Sequence, residues 1–431
     1  MDRYEEILER AKRVIPGGIN SCIRNYPENF ITVKGKGAHF WDQNGKRYTD
    51  YLCAYGPIIL GYAWEPVQEK VKRAVEQYDL YGVGTCEVEV VLAEKLCKYM
   101  KGIDRVLLCT GGSEATYHAI RCARAYTGRK KIIKMQGAFH GWHDFVLMNV
   151  ISKKERLYRQ DLFSEGILKC AADETLICRI NDFEDLEKKC KEHEGDIAAI
   201  ILDPYMTTFG CMRMQDAYVE SVRKLCDEKG IVLIFDEVVT GMRIGLEGAS
   251  GRFSVTPDLT AMGKAMANGY PVAALGGKAE IMDTFNTTRD GKVSYQATYY
   301  GNAIMAAASL ATIEELEKPG VYEHMEEMGS LLCSGLEEIA CRLGVDFYTE
   351  HCGSLIGLYF GTGPNYNLDD CIAHIDSEKS IQFRKRMIDR GYYFSPGDYK
   401  RCVLSYSHSR EDILETLDAA ESVFKEIYRK G

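Results

Sequence analysis

Between about residues 65 and 310, short unbroken apolar runs alternate with amphipathic stretches of helical period. The runs are RVLLCTGG (105–112), KIIKMQG (131–137), IAAIILDP (197–204), IVLIFDEV (231–238) and PVAALGG (271–277). A strand covered on both faces has no water-facing side, so it reads as continuous apolar sequence rather than as an alternation. Stretches such as EVEVVLAEKLCKYM and DAYVESVRKLCDEKG lie between the runs. This order predicts an α/β domain with a mainly parallel sheet. From residue 311 the pattern changes. ATIEELEKPGVYEHMEEMGSLLCSGLEEIACRLG is strongly helical and GSLIGLYFG reads as a strand, which together predict a smaller α+β domain. The expected division is an N-terminal segment (1–60) packing with the small domain, a large domain (61–310) and a C-terminal small domain (311–431).

With 431 residues, 46% of them hydrophobic and 27% charged, the chain is long enough for two or three domains with sizeable cores. The net charge of −9 argues against a nucleic-acid surface. No apolar run is long enough to span a bilayer, and MDRYEEILERAKRVIPGG is charged and helical in pattern, without a secretory core. The sixteen cysteines form no CxxC pair and many lie within apolar runs, so a reducing cytoplasm is expected and neither disulfides nor a zinc site. His140 and His143 in HGWH have no matching ligand group nearby in sequence, and no metal is expected. Residues 150–173 are charged and without clear period; a solvated loop and a mobile cover over a site are equally compatible with them.

One lysine, Lys264, stands within TAMGKAMANGYPVAALGG, a stretch of small and apolar residues. Lysines in such settings usually send the head group to water. The alternative is a desolvated amine, which loses its proton more easily and can form an imine with an aldehyde. That chemistry needs partners. Ligands of parallel α/β sheets gather beyond the C-terminal strand ends, where Asp203 and Asp236 follow two of the runs, and Lys264 lies 28 residues beyond Asp236. Either acid could equally be a turn or cap residue. A lysine for the imine and a carboxylate to keep a pyridine nitrogen protonated are what a pyridoxal phosphate (PLP) site requires. Its phosphate would suit Thr110-Gly111-Gly112-Ser113, a Gly-rich turn from strand to helix, because a helix N-terminus offers free N–H groups. The turn is not GxGxxG, which counts against a dinucleotide. Phe139 could stack on a flat ring, although a lone aromatic is more often core.

Taken in this order, the motifs GGINSCIR, YGPIILGYAWEPV, GGSEATYHAIRCARAYTGRKKIIKMQGAFHG, FDEVVTGMR, MGKAMANGYPVAALGG and TYYGN make the chain resemble the class III PLP-dependent aminotransferases, with the aminomutases the most similar branch. The resemblance implies the type I PLP-dependent transferase fold (aspartate-aminotransferase-like) and a homodimer with shared active sites. It gives Lys264 the role of imine lysine, Asp236 that of acid on the ring nitrogen, and Gly111, Gly112 and Ser113 the phosphate. Phe139 matches an aromatic stacked on the ring, and Thr298 a threonine reaching the neighbouring subunit's phosphate. Ser21 and Arg24 match substrate-carboxylate residues, and Tyr55 stands where the aminomutases have tryptophan. There are three departures from the family pattern. Asp203 replaces a glutamate among the cofactor residues, Thr208 falls where an asparagine is usual, and Lys400 and Arg401 stand where the aminomutases have a glutamate.

The resulting expectation is a cytoplasmic PLP enzyme that moves an amino group from a donor such as glutamate to a small anionic carbonyl compound. Its partners are small amines and carbonyl compounds, with no nucleic acid or membrane. The aminomutase reaction, in which one substrate gives and receives the amine, is the alternative. A racemase or lyase of the same fold is a further one.

Overall fold

The computed structural model describes residues 3–288 and 290–428. Its largest sheet has seven strands: β1 (Arg105–Cys109), β2 (Lys131–Met135), β3 (Thr175–Cys178), β4 (Ile197–Leu202), β5 (Val232–Glu237), β6 (Leu259–Met262) and β7 (Ala273–Gly277). The spatial order is β1-β7-β6-β5-β4-β2-β3. β6, β5, β4, β2 and β3 run parallel, and β7 is antiparallel to both β6 and β1. All six residues of β4 and all six of β5 are buried, as continuous apolar runs require.

All five apolar runs contain a strand. Two strands escape the sequence pattern: β3, four residues long and flanked by charges, and β6, within the small-residue stretch before Lys264. The direction of β7 is also invisible in its sequence, since an apolar run carries no sign of its polarity.

Successive side chains of a strand face opposite layers. On β5, Val232 and Ile234 pack with Ala119, Ile120 and Ala123 of the helix Gly112–Thr127, whereas Leu233 and Phe235 join Val219, Val222 and Leu225 of the helix Asp216–Lys229. Asp236 therefore falls on the face of the Gly112–Thr127 helix, and Glu237 on the other. There Glu237 is fully buried and accepts from Ala249 N (2.6 Å) and Ser250 N (2.9 Å), and burial pushes its pKa up to about 7.

Two smaller sheets complete the chain. Thr32–Lys36, His39–Asp42 and Arg47–Asp50 form an antiparallel set, extended in parallel by Tyr392–Tyr393. Tyr348–Cys352, Leu355–Tyr359 and Cys402–Val403 form the other, entirely antiparallel. It packs with the helices Val321–Leu343, Ser377–Asp389 and Arg410–Tyr428 around Leu332, Leu336, Phe360, Phe383 and Phe424. The N-terminal strands are thus hydrogen-bonded to a segment near the C-terminus. Residues 150–173 carry two short helical turns, Lys154–Arg156 and Lys169–Ala172. The segment is tied down where Tyr158 donates to Asp369 (2.7 Å) and Gln136 accepts from Tyr158 N (3.0 Å). Among the described residues no helix is long and apolar enough to cross a membrane.

Candidate active site

Asp236 occupies the penultimate position of β5. Its Oδ1 accepts from Val238 N (3.1 Å) and its Oδ2 lies 2.7 Å from His140 Nδ1. His140 is buried, with Nε2 unpartnered. Its backbone carbonyl accepts from Thr116 Oγ1 (2.6 Å) on the Gly112–Thr127 helix. His143, three residues on, is held neutral: burial and His140 drop its pKa to about 3. The sequence places His140 beside Phe139 but gives no sign that it meets Asp236, because the two are 96 residues apart.

The phosphate-type turn comes to the same strand end by close packing. A Cβ on Gly112 would stand 2.6 Å from Val238 Cγ1, so only glycine lets the helix start so near β5. Gly141, at φ +113°, packs on Ser113; a Cβ there would meet Ser113 Oγ at 2.8 Å. Glu114 Oε2 accepts from Thr110 N (2.9 Å), Thr110 Oγ1 (2.7 Å) and Gly111 N (3.2 Å). The N–H groups of Gly112 and Ser113, in the first helical turn, have no intrahelical acceptor and stay available to an anion. Phe139, next to His140, is 44% exposed rather than part of the core.

Lys264 follows β6 and Gly263 and opens a single helical turn, Lys264–Ala267. Its φ of +45° is in the left-handed region, as is that of Asn268 (+43°). Non-glycine residues held there cost roughly 1–2 kcal/mol each and concentrate at functional sites. Asn268 fastens the turn: its Oδ1 accepts from Ile59 N and Leu60 N (both 3.0 Å), and its Nδ2 donates to Gly61 O (3.1 Å). Protein surrounds the lysine, yet it is only half-buried, since solvent reaches part of its surface. Burial, then the charge of Arg401, lowers its pKa to about 7; Asp236 and Asp203 oppose the shift and Arg243 adds to it. The amine is thus readily deprotonated.

A second left-handed segment faces the lysine. Cys53, Ala54, Tyr55 and Gly56 have φ of 47°, 55°, 67° and 109°. Asp50 Oδ1 caps its start through Leu52 N (2.8 Å) and Cys53 N (3.1 Å). A Cβ on Gly56 would lie 3.7 Å from Lys264 Cδ. Tyr55 donates to Ile23 O, which links this turn to the segment carrying Ser21 and Arg24. Burial raises the Tyr55 pKa, while Arg24 and Arg401 pull it back. Arg401 donates to Thr207 O (3.0 Å) and Tyr55 O (3.1 Å). Burial lowers its pKa, and Asp203 works against that. Asp203 is buried; its Oδ2 accepts from Thr207 N (2.9 Å) and Thr207 Oγ1 (2.8 Å), and its Oδ1 has no partner. Burial and Asp236 raise its pKa. Thr208 is buried alongside.

One cleft therefore gathers Lys264, Asp236, Asp203, Arg401, Tyr55 and the Gly112–Ser113 turn. Ser21 is half-buried and Arg24 exposed at the edge, near Tyr55. Lys400 sits beside Arg401, Arg384 and Asp398, and burial lowers its pKa to about 8; its carbonyl accepts from Arg384 Nη2 (2.9 Å). Thr298 is exposed within a single chain, and among the described residues no side-chain bond joins it to the cleft.

The parts fit PLP: a readily deprotonated lysine for an aldehyde, free N–H groups at a helix start for a phosphate, and a buried carboxylate for a ring nitrogen. Among the described residues no cluster of His, Cys, Asp and Glu is arranged to hold a metal ion.

Comparison with known proteins agrees. Residues 23–359 match the family model "Aminotransferase class-III". The chain is 38% identical over 430 residues, 99% of each chain, to the glutamate-1-semialdehyde 2,1-aminomutase of Neisseria meningitidis serogroup A / serotype 4A. Its structure is similar to an omega-transaminase from Sphaerobacter thermophilus (TM-score 0.93, 28% identity, 99% and 98% of the two chains). It is also similar to the FumI protein of Sphingopyxis sp. MTA144 in its PLP internal aldimine form (TM-score 0.85, 28% identity, 99% and 97%). With a cleft of this composition on a sheet of this order, the chain belongs to the class III aminotransferase family.

Proposed function

We propose that the chain is a cytoplasmic, homodimeric PLP enzyme that moves an amino group within one small anionic substrate, as the 2,1-aminomutases of glutamate 1-semialdehyde do. The observation that carries this reading is the full-length likeness, 38% over 430 residues, to a protein named for that reaction. The sequence expectation ranked two-substrate transfer first; the full-length relatives favour the mutase, and the order is reversed. Two-substrate transamination with a donor such as glutamate stays as the second reading. One observation favours it: the Arg401 guanidinium lies within electrostatic reach of Lys264, and among the described residues no carboxylate pairs with it.

PLP supplies an aldehyde that captures amines and a protonated ring that draws off electrons when the substrate carbon loses its proton. Lys264 would hold that aldehyde when no substrate amine occupies it. As a free amine with a pKa of about 7, Lys264 Nζ would take the proton from the amine-bearing carbon and return a proton to the neighbouring position. General acid–base help of this kind contributes about 10²–10⁴-fold. Asp236 would face the ring nitrogen, and His140 orients that carboxylate. Gly112 and Ser113 would receive the phosphate through their free N–H groups, with Gly111, whose N–H is taken by Glu114, shaping the turn; Thr298 from the second copy would join them, its exposure in one chain leaving it free to cross. Asp203 lines the cofactor side of the cleft. Ser21, Arg24 and Tyr55 line the substrate side with Lys400 and Arg401, where a cation favours a carboxylate. The division at residues 60 and 310 belongs to the same proposal, supported by the pairing of Tyr392–Tyr393 with the N-terminal strands.

The test gives the pyridoxamine form of the purified enzyme glutamate 1-semialdehyde alone. Moving the amine from carbon 2 to carbon 1 yields the isomer 5-amino-4-oxopentanoate with no second substrate. If that product is absent while glutamate alone converts the PLP form and releases 2-oxoglutarate, the second reading holds. If borohydride followed by peptide mapping labels a lysine other than Lys264, the site assignment fails.

A further inference from the structure

Arg243, in the TGMR segment after β5, is fully buried. Its Nη1 donates to Ser354 Oγ and Leu404 O (both 2.9 Å), and its Nη2 to Gly56 O (2.5 Å) and Ile58 O (3.2 Å). Among the described residues no carboxylate pairs with it, and its Nε is buried without a partner. A buried cation facing only neutral acceptors is costly, because its hydration is lost and no opposite charge compensates it. The purely structural task of bridging three backbone carbonyls and a serine does not need that charge.

Two of the four acceptors belong to the segment that starts at the strained turn Cys53–Gly56, and this turn comes near the Lys264 side chain, where a Cβ on Gly56 would lie 3.7 Å from Lys264 Cδ. Arg401 grips the same turn one residue earlier, at Tyr55 O. The other two acceptors, Ser354 Oγ and Leu404 O, flank the C-terminal sheet. One side chain thus joins the end of β5, the turn over the lysine and the C-terminal sheet.

We propose that Arg243 is a positioning residue for Lys264: it holds the left-handed turn Cys53–Gly56 against the lysine side chain and keeps an uncompensated positive charge behind it. The charged groups facing Lys264 are Arg401 and Arg243 on one side of the balance and Asp236 and Asp203 on the other. With two cations against two anions, a protonated amine is the one charge in excess. Arg243 pushes in the same direction as burial and Arg401, towards the neutral amine. The planar fork serves the geometry and the charge serves the amine, so the two duties separate on substitution. This inference rests on Lys264 being the lysine that holds the cofactor.

The test uses full-length Arg243→Gln and Arg243→Lys. In cofactor-free protein, the pH dependence of Lys264 acetylation by acetic anhydride is followed by peptide mapping. In holoenzyme, kcat and KM are compared. Arg243→Gln removes the charge, so Lys264 acetylation near neutral pH should fall about threefold to tenfold, a midpoint displaced upward by up to about one pH unit. Arg243→Lys keeps the charge but not the fork. Its acetylation profile should stay close to wild type, while KM rises about tenfold and kcat changes less. A purely structural arginine would lower the melting temperature in both variants and leave the acetylation profile unmoved, and that result would overturn the proposal. If Arg243→Gln does not accumulate as folded protein, Ser354→Ala takes its place beside Arg243→Lys. It removes one acceptor from outside the cleft and should raise KM about twofold to threefold; wild-type kinetics in both variants would overturn the proposal. Borohydride labelling of wild-type enzyme keeps the two ideas apart. A label on another lysine sinks the functional reading, whereas a label on Lys264 with unmoved variants sinks this one alone.

Discussion

His140 Nδ1 lies 2.7 Å from Asp236 Oδ2, and both side chains are buried. With Nδ1 as donor, the bond fixes the carboxylate's orientation. On the proposed reading, that orientation presents Asp236 to the ring nitrogen of the cofactor. His140→Ala should leave Asp236 short of a partner, release PLP more readily and slow single-turnover amine transfer by about tenfold or more, each factor of ten being ~1.4 kcal/mol. His140→Asn, whose amide can donate from near the Nδ1 position, should recover part of the loss. Stopped-flow absorbance of the cofactor checks this; wild-type rates in His140→Ala would remove His140 from the site.

This bond also marks where sequence reading ends. The strand ends carrying Asp203 and Asp236 are legible because an apolar run that stops in an acid has a fixed place in a parallel sheet. The Gly-rich turn is legible because a glycine cluster between strand and helix has few other uses. The Asp236–His140 contact is not, since nothing local to His140 shows which strand it will face. The left-handed φ of Lys264 and of Cys53–Tyr55 is equally hidden: these are not the glycines or asparagines that advertise such a conformation, and bonds from the distant Asn268, Arg243 and Arg401, with a local cap from Asp50, fasten the two turns.

Lys134 on β2 gives a stability prediction independent of catalysis. It is fully buried, donates to Met148 O, and burial lowers its pKa to about 7. An unfolded lysine titrates at about 10.4. Between those values the unfolded chain binds the extra proton, so stability rises with pH from about 7 to about 10, and the penalty is fully present below about 7. Lys134→Met should abolish that rise. The penalty removed is a few kcal/mol at ~1.4 kcal/mol per pKa unit, and the carbonyl of Met148 left unpaired offsets about 1–3 kcal/mol. A net gain of about 1–2 kcal/mol is expected near neutral pH, shrinking at alkaline pH. Urea midpoints at several pH values check it; an equally steep pH dependence in the variant would show that Lys134 is not the group responsible.

A site shared between two copies, as proposed, predicts complementation. Thr298 is exposed in one chain, whereas Lys264 is half-buried. Mixed dimers of Lys264→Ala with an impaired Thr298→Val chain should regain part of the activity, because one of the two sites then has both residues intact. Differentially tagged heterodimers, purified and assayed, decide the matter: no recovery in a verified heterodimer counts against a residue shared across the interface.

Arg401 decides between the two readings of the reaction. Its guanidinium spends two donors on Thr207 O and Tyr55 O, which leaves others for a carboxylate beside Lys264. A hydrogen bond to a charged group contributes about 1.5–3 kcal/mol, so Arg401→Gln should slow the reaction with glutamate at low concentration by about 10–100-fold, and Arg401→Glu further. The same substitutions also remove a positive charge that lowers the Lys264 pKa, so near neutral pH less of that amine would be neutral. The two effects separate with pH. Loss of the carboxylate contact persists at alkaline pH, where Lys264 is neutral in every variant, whereas loss through the lysine disappears there. A defect that vanishes above about pH 9 would assign Arg401 to the lysine alone and remove the observation that favours two-substrate transfer. A defect that persists, together with release of 2-oxoglutarate from glutamate, would make the chain a two-substrate transaminase.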